Sequence, residues 1–506
     1  MASKMFMGDM PELMENILNN LNGEIESLYS CTLVNRHWCK ISIPILWQDP
    51  FSFDQDPLFI SIYFSSLDEE DEQFILKEYG VNTKISNTLF NYARFLKVLS
   101  LSNLESKVKK WIDVQLAGSN QYYNSLKYHM INLLFKLFIE SGAALHKLDL
   151  CFPYFIEIKP EIFYSLGRNE LFFSRLQDLS LSGISDFGTE NANALLRILA
   201  KNTTKINVLV FDEFHSDYDP QVCHSLVCII KSQEKLRQFS IIGADDFPEE
   251  FNGVISALES QKQSLKEVII ECCACNAEFK VLMSCENLEI LRIRYCGHYG
   301  CTDLLKIIDY KVSTLEIVDC VIDATNMVLI LEKSATLLQR LKLEPIDQDI
   351  WGESVLLETL KSFCPNITYL NISSIGFSSQ LLELIGILQK LQFLTLGLWY
   401  LDDISEEQQV IQFAEILPLT LQYLDIRGSF LNSHINILLG NCNAPLNKLL
   451  IHRFDNEKQV KALIEFCIRK RTLHYVGVNM YFDDNFIWKV ESYVTVVPYD
   501  RLVVDC

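Results

Sequence analysis

The stretch SSQLLELIGILQKLQFLTL, Ser378–Leu396, decides the fold, because it joins two hydrophobic periodicities without a break. In its first part, apolar residues recur at the three- and four-residue spacing of one helix face. They are Leu381, Leu384, Ile385 and Leu388. In its last part, LQFLTL, apolar side chains alternate with others, as in a strand that is buried on one face. The stretch therefore predicts a helix followed closely by a strand.

The strand part recurs along the chain as L-x-x-L-x-L, with Ile, Val or Phe accepted at the apolar positions. Thirteen copies begin at Leu145, Leu176, Ile206, Leu236, Leu265, Leu288, Val312, Leu338, Ile367, Leu391, Leu421, Leu446 and Leu473. Successive copies start 23 to 31 residues apart. This spacing is close to the period of about 20–29 residues of leucine-rich repeats, with small insertions in some units. A further copy, LKVLSL from Leu96, lies 49 residues before the first.

One strand and one helix cannot bury their apolar faces alone. Stacking many such pairs side by side forms a parallel inner sheet with helices outside it. The predicted fold is therefore an α/β solenoid, a curved leucine-rich-repeat horseshoe over residues 145–506. Residues 51–144 are predicted to form a helical linking region, with a candidate irregular first repeat around Leu96.

Five cysteines recur at fixed places in the repeats. Three fall eight residues after the first apolar position and two fall three residues before it: Cys273, Cys296 and Cys320, then Cys285 and Cys364. This pattern resembles the cysteine-containing subclass of leucine-rich repeats. The resemblance implies thiols that line interior turns between strand and helix.

The same region offers an alternative, a zinc site. Its candidate ligands are Cys272, Cys273, Cys275, Cys285, Cys296, His298 and Cys301. Zinc sites usually contain paired Cys-x-x-Cys motifs, whereas the close pair here has one intervening residue. Structural thiols are the favoured interpretation, and no metal or other cofactor is expected.

Charge and hydropathy narrow the class of protein. The chain has 506 residues, 49% of them hydrophobic, with 44 Lys and Arg against 65 Asp and Glu, a net charge of −21. Such a chain can fill a large core. It lacks the excess of positive charge that binding to nucleic-acid phosphates requires. The stretch Leu381–Leu401 contains too many polar residues to span a membrane, and the start of the sequence has no apolar signal segment. Reduced cysteines and a cytoplasmic or nuclear location are expected, without nucleic-acid or membrane partners.

No phosphate-binding glycine loop, zinc-protease helix or serine-nucleophile elbow occurs in the sequence. The histidines are scattered, and none pairs with a nucleophile. The expected function is therefore non-catalytic.

The first fifty residues differ from the repeats. The stretch GDMPELMENILNNL begins like a helix, with Pro11 in its first turn and an apolar stripe behind it. A second helix is indicated around Leu28, and a third element is expected between Pro44 and Pro50. Three short helices bury little core, so leftover apolar surface should contact a partner or the repeats. A cap for the solenoid is the alternative interpretation.

Residues 8–50 resemble an F-box. The resemblance rests on MPELMENIL, LVNRHW and PILW, which occur in the family's order and at fitting distances. The chain departs from the family pattern at Met10, where Leu is commoner, and at Asn35, where Cys is frequent. With the repeats, the whole is similar to fungal-type F-box proteins with leucine-rich repeats.

The resemblance implies a substrate-recognition subunit of a Skp–cullin–F-box ubiquitin ligase. The F-box would bind the Skp adaptor, and through it the cullin and RING subunits, while the repeats would hold a protein substrate. By position, the residues that would form or support the adaptor-binding surface are Met10, Pro11, Leu13, Ile17, Leu21, Leu28, Val34 and Trp47. Trp38 would be either an interface anchor or part of the core. The alternative is a scaffold, or an inhibitor of a basic protein, that acts without a ligase.

A substrate is expected on the concave face, which the residues between the buried Leu positions would line. Aromatic residues and Arg, which are enriched at binding hot spots, concentrate on the later strands. The predicted contacts are Arg292, Arg294, Tyr369, Asn371, Phe393, Tyr423, Asp425, Arg427, His452 and Tyr475. The alternative is that these aromatic residues pack against one another. On the binding interpretation, Tyr423→Ala with Arg427→Ala abolishes substrate capture without lowering the melting temperature.

Overall fold

The structure is a computed structural model. It describes residues 11–21, 23–52, 56–65, 88–116, 123–151, 159–184, 189–244, 247–297, 304, 311–346, 350–399, 406–479 and 487–504. The described chain divides into two compact units. Unit 1 takes in the described residues up to Phe239 and Phe251–Gln261, and unit 2 takes in Ser240–Glu250 and the residues from Lys262 onward.

The described helices of unit 1 begin with three short ones near the start of the chain. They are α1 Pro11–Asn19, α2 Ile25–Thr32, α3 Arg36–Leu46, α4 Ile60–Phe64, α5 Leu101–Leu116, α6 Tyr123–Glu140, α7 Pro160–Arg168, α8 Thr189–Asn202 and α9 Pro220–Ser232. Those of unit 2 are α10 Val328–Ser334, α11 Glu353–Phe363, α12 Ser379–Ile387, α13 Glu406–Ile416, α14 Ile435–Asn441, α15 Glu457–Lys470 and α16 Ile487–Val490. Short 3₁₀ turns replace the helix in some repeats, as at Ser256–Gln261 and Ala277–Ser284.

The strands form one sheet whose order follows the chain from the first to the fifteenth. They are β1 Val98–Ser100, β2 Lys147–Cys151, β3 Asp178–Ser182, β4 Val208–Phe214, β5 Gln238–Gly243, β6 Glu267–Glu271, β7 Ile290–Gly297, β8 Thr314–Cys320, β9 Arg340–Pro345, β10 Tyr369–Gly376, β11 Phe393–Trp399, β12 Tyr423–Asp425, β13 Lys448–Leu450, β14 Tyr475–Val478 and β15 Thr495–Pro498. Every pair with a described register is parallel. The predicted α/β solenoid is confirmed.

Each of the thirteen sequence copies forms a strand, β2 to β14, and LKVLSL forms β1. The helix stripe of Ser378–Leu396 also occurs as predicted, because Leu381, Leu384, Ile385 and Leu388 are fully buried. The Ser378 hydroxyl accepts a hydrogen bond from the Leu381 amide and caps α12. The sequence pattern missed β15, because Tyr493 and Pro498 stand where the repeat has Leu.

Five strands, β4, β6, β7, β8 and β10, have one non-glycine residue in the left-handed conformation near or just after their C-terminal end. Glu213, Cys272, Tyr295, Asp319 and Ser374 have φ between 51° and 56°. The residue after each is buried, so this kink turns the next side chain into the core. The repeat thus fixes backbone geometry as well as apolar positions.

In one respect the sequence interpretation of the start of the chain was wrong. Pro44 lies inside α3, which runs without a break from Arg36 to Leu46, so it does not begin a separate element. Its position near the C-terminal end of the helix limits the loss to one backbone hydrogen bond. Among the described residues, no helix has the length and apolar character needed to cross a membrane.

Candidate functional site

The first three helices, α1–α3 (Pro11–Leu46), pack into a small core, and we call them the head. Met14, Leu18, Leu28 and Ile45 form its buried centre. α1 begins at Pro11, where a missing amide hydrogen costs nothing. The Asn35 side chain accepts a hydrogen bond from the Trp38 amide at 2.9 Å and caps α3. The residue that departs from the F-box pattern thus has a structural role here.

A neighbouring face of α1 carries apolar residues that no described residue of the head covers. Leu13 is 49% exposed and Ile17 is 45% exposed, one turn apart, while Met14 and Leu18 are buried. Tyr29, Leu33 and Val34 are also exposed, on α2 and directly after it. Exposed apolar side chains concentrated on one short segment are typical of surfaces that bind another protein.

The predicted adaptor-binding residues therefore separate into two groups. Leu13, Ile17 and Val34 are exposed, whereas Leu28 is buried and Leu21 and Trp38 are half-buried against the head core. Leu28 can support such a surface only from below, because its side chain fills the core that α1–α3 share. The side chain of Pro11 and the whole of Met10 lie outside the described residues.

Trp47 also supports the head from within. Its ring lies 4.3 Å from that of Tyr92 and 5.1 Å from that of Tyr63, centroid to centroid, at the junction with the linking region. Tyr63 is itself fully buried. Trp47 therefore joins the head to the segment that follows it, and a role in the adaptor-facing surface stays a prediction.

The predicted substrate residues lie on the sheet face that alternates with the buried Leu positions, and we call it the open face. In the register of unit 2, one row runs Arg292, Glu316, Lys342, Asn371, Thr395, Asp425, Leu450 and Gly477. The neighbouring row runs Arg340, Tyr369, Phe393, Tyr423, Lys448 and Tyr475. Seven of the ten predicted substrate residues lie in these two rows.

Arg292 and Arg294 are paired with carboxylates of the same face. Arg292 contacts Glu267 at 3.0 Å and Glu316 at 2.7 Å. Arg294 contacts Glu271 at 2.9 Å and Glu316 at 2.8 Å. Burial raises the pKa of Glu316, but hydrogen bonds from the two arginines outweigh it, so the pKa lies below its ordinary value. Both arginines are committed to this ladder, which corrects their predicted role as substrate contacts.

The chain's own last described residues cover the open face of the later strands. We call Tyr499–Val504 the C-terminal cover. Leu502 packs against Tyr423 and Leu450, and Val504 and Tyr499 join the same cluster. The Tyr369 hydroxyl donates a hydrogen bond to the Val504 carbonyl at 3.0 Å.

A glycine allows this close approach. A Cβ on Gly477 would lie 3.1 Å from the Cα of Tyr499 and 3.0 Å from the Cγ of Leu450. The cover therefore lies directly on the backbone of β14. Tyr369 and Tyr423 are each 1% exposed as a result, and their predicted contact with a substrate is wrong in this conformation.

The remaining predicted residues are mostly engaged as well. Asp425 is bound by Arg427, whose guanidinium also lies 4.3 Å from the centre of the Tyr499 ring. Asn371 is buried and donates to Glu344. Phe393 is half-buried against Tyr423. Only His452 and Tyr475 of the ten predicted residues are exposed.

Unit 1 offers a different open face, which is acidic. Asp149, Asp178 and Asp212 are half-exposed there and Glu213 is exposed, with hydroxyls of Ser100 and Ser182 donating to Asp149 and Glu213. Burial raises the pKa of Asp212, and the nearby charges of Glu213 and Asp149 raise it further. Within the described part of the chain, none of these carboxylates has a Lys or Arg at ion-pair distance. Lys147 is the register partner of Asp178, whereas Asp149, Asp212 and Glu213 form an uncompensated negative surface.

Three of the repeat cysteines lie in the interior, at or just after the C-terminal ends of β6, β7 and β8. Cys273, Cys296 and Cys320 are buried, and each thiol donates to the carbonyl two residues earlier, at 3.0–3.3 Å. Cys285 and Cys364 are buried too, and burial raises the pKa of Cys364 to about 12. The Cys364 thiol therefore stays protonated and unreactive at neutral pH.

One cysteine departs from this pattern. Cys275 is disulfide-bonded, and no other described cysteine takes part in a disulfide. The prediction that all thiols are reduced is therefore wrong at Cys275. It lies in the half-buried loop after β6 rather than in an interior turn, so a second cysteine can reach it. Among the described residues, no three His, Cys, Asp or Glu side chains are grouped to hold a metal ion; His298 and Cys301 lie outside them.

Comparisons with known proteins give no family. No protein-family model and no curated protein matches the chain. A chain in the crystal structure of the Rad7 and Elc1 complex in yeast is similar at 15% identity and a TM-score of 0.42, over 79% of this chain and 94% of that one. A leucine-rich-repeat protein of Leptospira interrogans is similar at 14% identity and a TM-score of 0.31, over 73% and 91%. LegL7, a leucine-rich-repeat-containing protein from Legionella pneumophila, has the same identity and TM-score, over 59% and 91%. These values carry no statement about function.

Proposed function

We propose that the chain is a substrate-recognition subunit of a Skp–cullin–F-box ubiquitin ligase, with the head bound to the Skp adaptor. The proposal rests on α1, whose apolar side chains are partly buried in the core of the head and partly exposed. Met14 and Leu18 already supply the core of the head, so Leu13 and Ile17 are not needed for folding. Together with the F-box-like motifs, this exposed face supports a docking role.

The ligase role requires no catalytic residue in this chain. A receptor raises the effective concentration of a substrate lysine near the loaded conjugating enzyme, and this is a matter of position alone. In the repeats, the acidic open face of unit 1 is the best candidate contact, because the late open face of unit 2 is covered and its charges are paired. A substrate with a basic segment fits that surface.

The test is adaptor binding by a variant that changes only exposed residues. We expect Leu13→Asp with Ile17→Asp to weaken binding of the purified Skp adaptor at least 100-fold, because two charges would enter an apolar contact. Binding is measured by titration calorimetry on the full chain. Melting temperature is recorded in parallel and should not change, since neither side chain is part of the core.

A matched control is Leu419→Asp with Val355→Asp, two exposed aliphatic residues of the repeats. It should bind the adaptor as the unmodified chain does. If the unmodified, folded chain fails to bind the adaptor, the ligase role is excluded and the head becomes a cap of the solenoid.

The second candidate function is a scaffold or inhibitor of a basic protein, without a ligase. The uncompensated carboxylates Asp149, Asp212 and Glu213 favour it, since they attract cationic partners irrespective of the head. Adaptor binding by the head would distinguish the two functions.

A further inference from the structure

A cavity of about 450 Å³ lies within unit 1, at the edge where the first strands begin. The head lines one side of it through Glu15 of α1 and Lys40 of α3. The other side consists of Arg94 and residues directly before β1, β2 and β3. Its volume lies in the range of about 300–1,000 Å³ typical of small-molecule sites.

The backbone fixes the positions of the lining side chains. Amides of Lys97 and Val98 donate to the carbonyl of Gln48, and amides of His146 and Lys147 donate to that of Lys97, at 2.7–3.1 Å. Lys97 and His146 are thus neighbours on one ladder, about 4.8 Å apart. The same pattern continues at the start of β3, where the Gln177 amide donates to the carbonyl of His146. Arg175 lies two residues before Gln177. Side chains at one edge of adjacent parallel strands therefore converge without any loop rearrangement.

The cavity is cationic in a strongly acidic protein. Lys40, Arg94, Lys97 and Arg175 line it, against the single carboxylate of Glu15, while the whole chain carries a net charge of −21. Within the described residues, none of these four cations forms an ion pair. Elsewhere the described cations often do, as at Arg292 and Arg294.

The cations also destabilise one another. Burial lowers the pKa of Lys97; Glu15 partly offsets this, and the charge of Arg175 lowers it further. Burial and the charges of Lys97 and Arg175 lower the pKa of His146, which leaves its imidazole neutral at neutral pH and able to donate one hydrogen bond. An anion between these groups would remove the repulsion that the cavity now contains.

We propose that this cavity binds a small ligand that carries two or more neighbouring phosphate groups. Linked phosphates carry several anionic oxygens, which suits a cavity whose cations come from both the head and the strand edge. Arg94 and Arg175 suit bidentate contacts to phosphate oxygens, and the two lysines act as point charges. Such a ligand would fasten the head to the first repeats, a role separate from adaptor docking on Leu13 and Ile17.

The test is calorimetric titration of the full chain with inorganic tripolyphosphate, pyrophosphate and phosphate at fixed ionic strength. We expect one bound tripolyphosphate per chain, weaker binding of pyrophosphate and the weakest binding of phosphate. The variant Lys40→Gln, Arg94→Gln, Arg175→Gln should bind tripolyphosphate about 1,000-fold more weakly, because it removes three charge-assisted contacts that each contribute roughly tenfold. Phosphate binding as tight as that of tripolyphosphate would overturn the proposal.

The matched control neutralises three exposed cations elsewhere in unit 1, Lys205→Gln, Lys235→Gln and Arg237→Gln. It makes the same change in net charge and should bind tripolyphosphate within about twofold of the unmodified chain. Ser174→Glu adds a carboxylate to the lining without removing a cation, and should also abolish binding if the variant melts normally. Absence of binding by the unmodified chain, or equal affinity in control and triple variant, would refute the site.

Discussion

Replacing Glu316 with glutamine is expected to lower the free energy of unfolding by about 3 kcal/mol. Glu316 is the centre of the ladder on the open face of unit 2. Its side chain is 3% exposed and accepts from both Arg292 and Arg294. Removing its charge leaves two partly buried guanidiniums facing an uncharged amide. Each arginine keeps one other carboxylate, Glu267 or Glu271, which holds the loss at the lower end of the range for broken buried pairs.

Urea denaturation measures this difference, and an exposed pair provides the control. Glu289 binds Lys266 at 2.6 Å, but both side chains are about half-exposed. Glu289→Gln should therefore change the free energy of unfolding by at most about 1 kcal/mol. Equal effects of the two substitutions would contradict the argument, because they would show that burial does not strengthen the ladder.

The contribution of Glu316 also depends on pH, with a defined sign. Its pKa is lower in the folded chain than its ordinary value, so its stabilisation is present above the unfolded pKa of about 4.3 and is lost as the pH falls through the folded value. The stability difference between the unmodified chain and Glu316→Gln should stay constant from neutral pH to near 4.3, and then shrink. Urea denaturation at several pH values measures it, and a difference that shrinks near neutral pH would exclude this cause.

Replacing Tyr423 with alanine is expected to lower the free energy of unfolding by about 3–5 kcal/mol, as for other fully buried aromatic residues. Tyr423 is 1% exposed, between Leu450 and Leu502 of the C-terminal cover. Burial raises the pKa of its hydroxyl, as expected for a ring removed from water. If Tyr423 were instead a surface contact for a substrate, its replacement would leave the stability unchanged.

Tyr475 provides the control for Tyr423 within the same row of the open face. It lies two strands away in register, beyond Lys448, and is 40% exposed. Tyr475→Ala should cost at most about 1 kcal/mol, because the ring is not enclosed. The measurement is again urea denaturation. If Tyr423→Ala behaves like Tyr475→Ala, the cover does not seal the open face in solution.

The C-terminal cover changes where a protein partner can bind. A partner on the late open face would have to displace Leu502 and Val504, and it would then meet an apolar row of Tyr369, Phe393 and Tyr423. A partner on the acidic open face of unit 1 needs no such displacement. We therefore expect the basic segment of a substrate to contact Asp149 and Asp212 first.

Much of the fold could be predicted from local pattern. The apolar repeat positions that begin at Leu96 and end with the copy at Leu473 predicted fourteen of the strands. The spacing of Cys273, Cys296 and Cys320 predicted interior turns. The sequence predicted only in part which apolar residues of the head are buried and which are exposed, because Leu13 and Met14 are both apolar and adjacent. Which of them is buried depends on how α1 meets α3. The disulfide at Cys275 and the strand β15 had no signal in the repeat pattern.

The sequence by itself determined the repeat unit, the parallel sheet and the face on which each strand residue lies. These follow from periods of 2 and 3.6 residues, which are properties of a single element. Only the tertiary structure decided which open-face residues reach solvent. Tyr369 meets Val504 across 135 residues of chain, and Glu316 meets arginines from the preceding repeat. Local periodicity specifies the face of an element, whereas exposure depends on whatever distant segment covers that face.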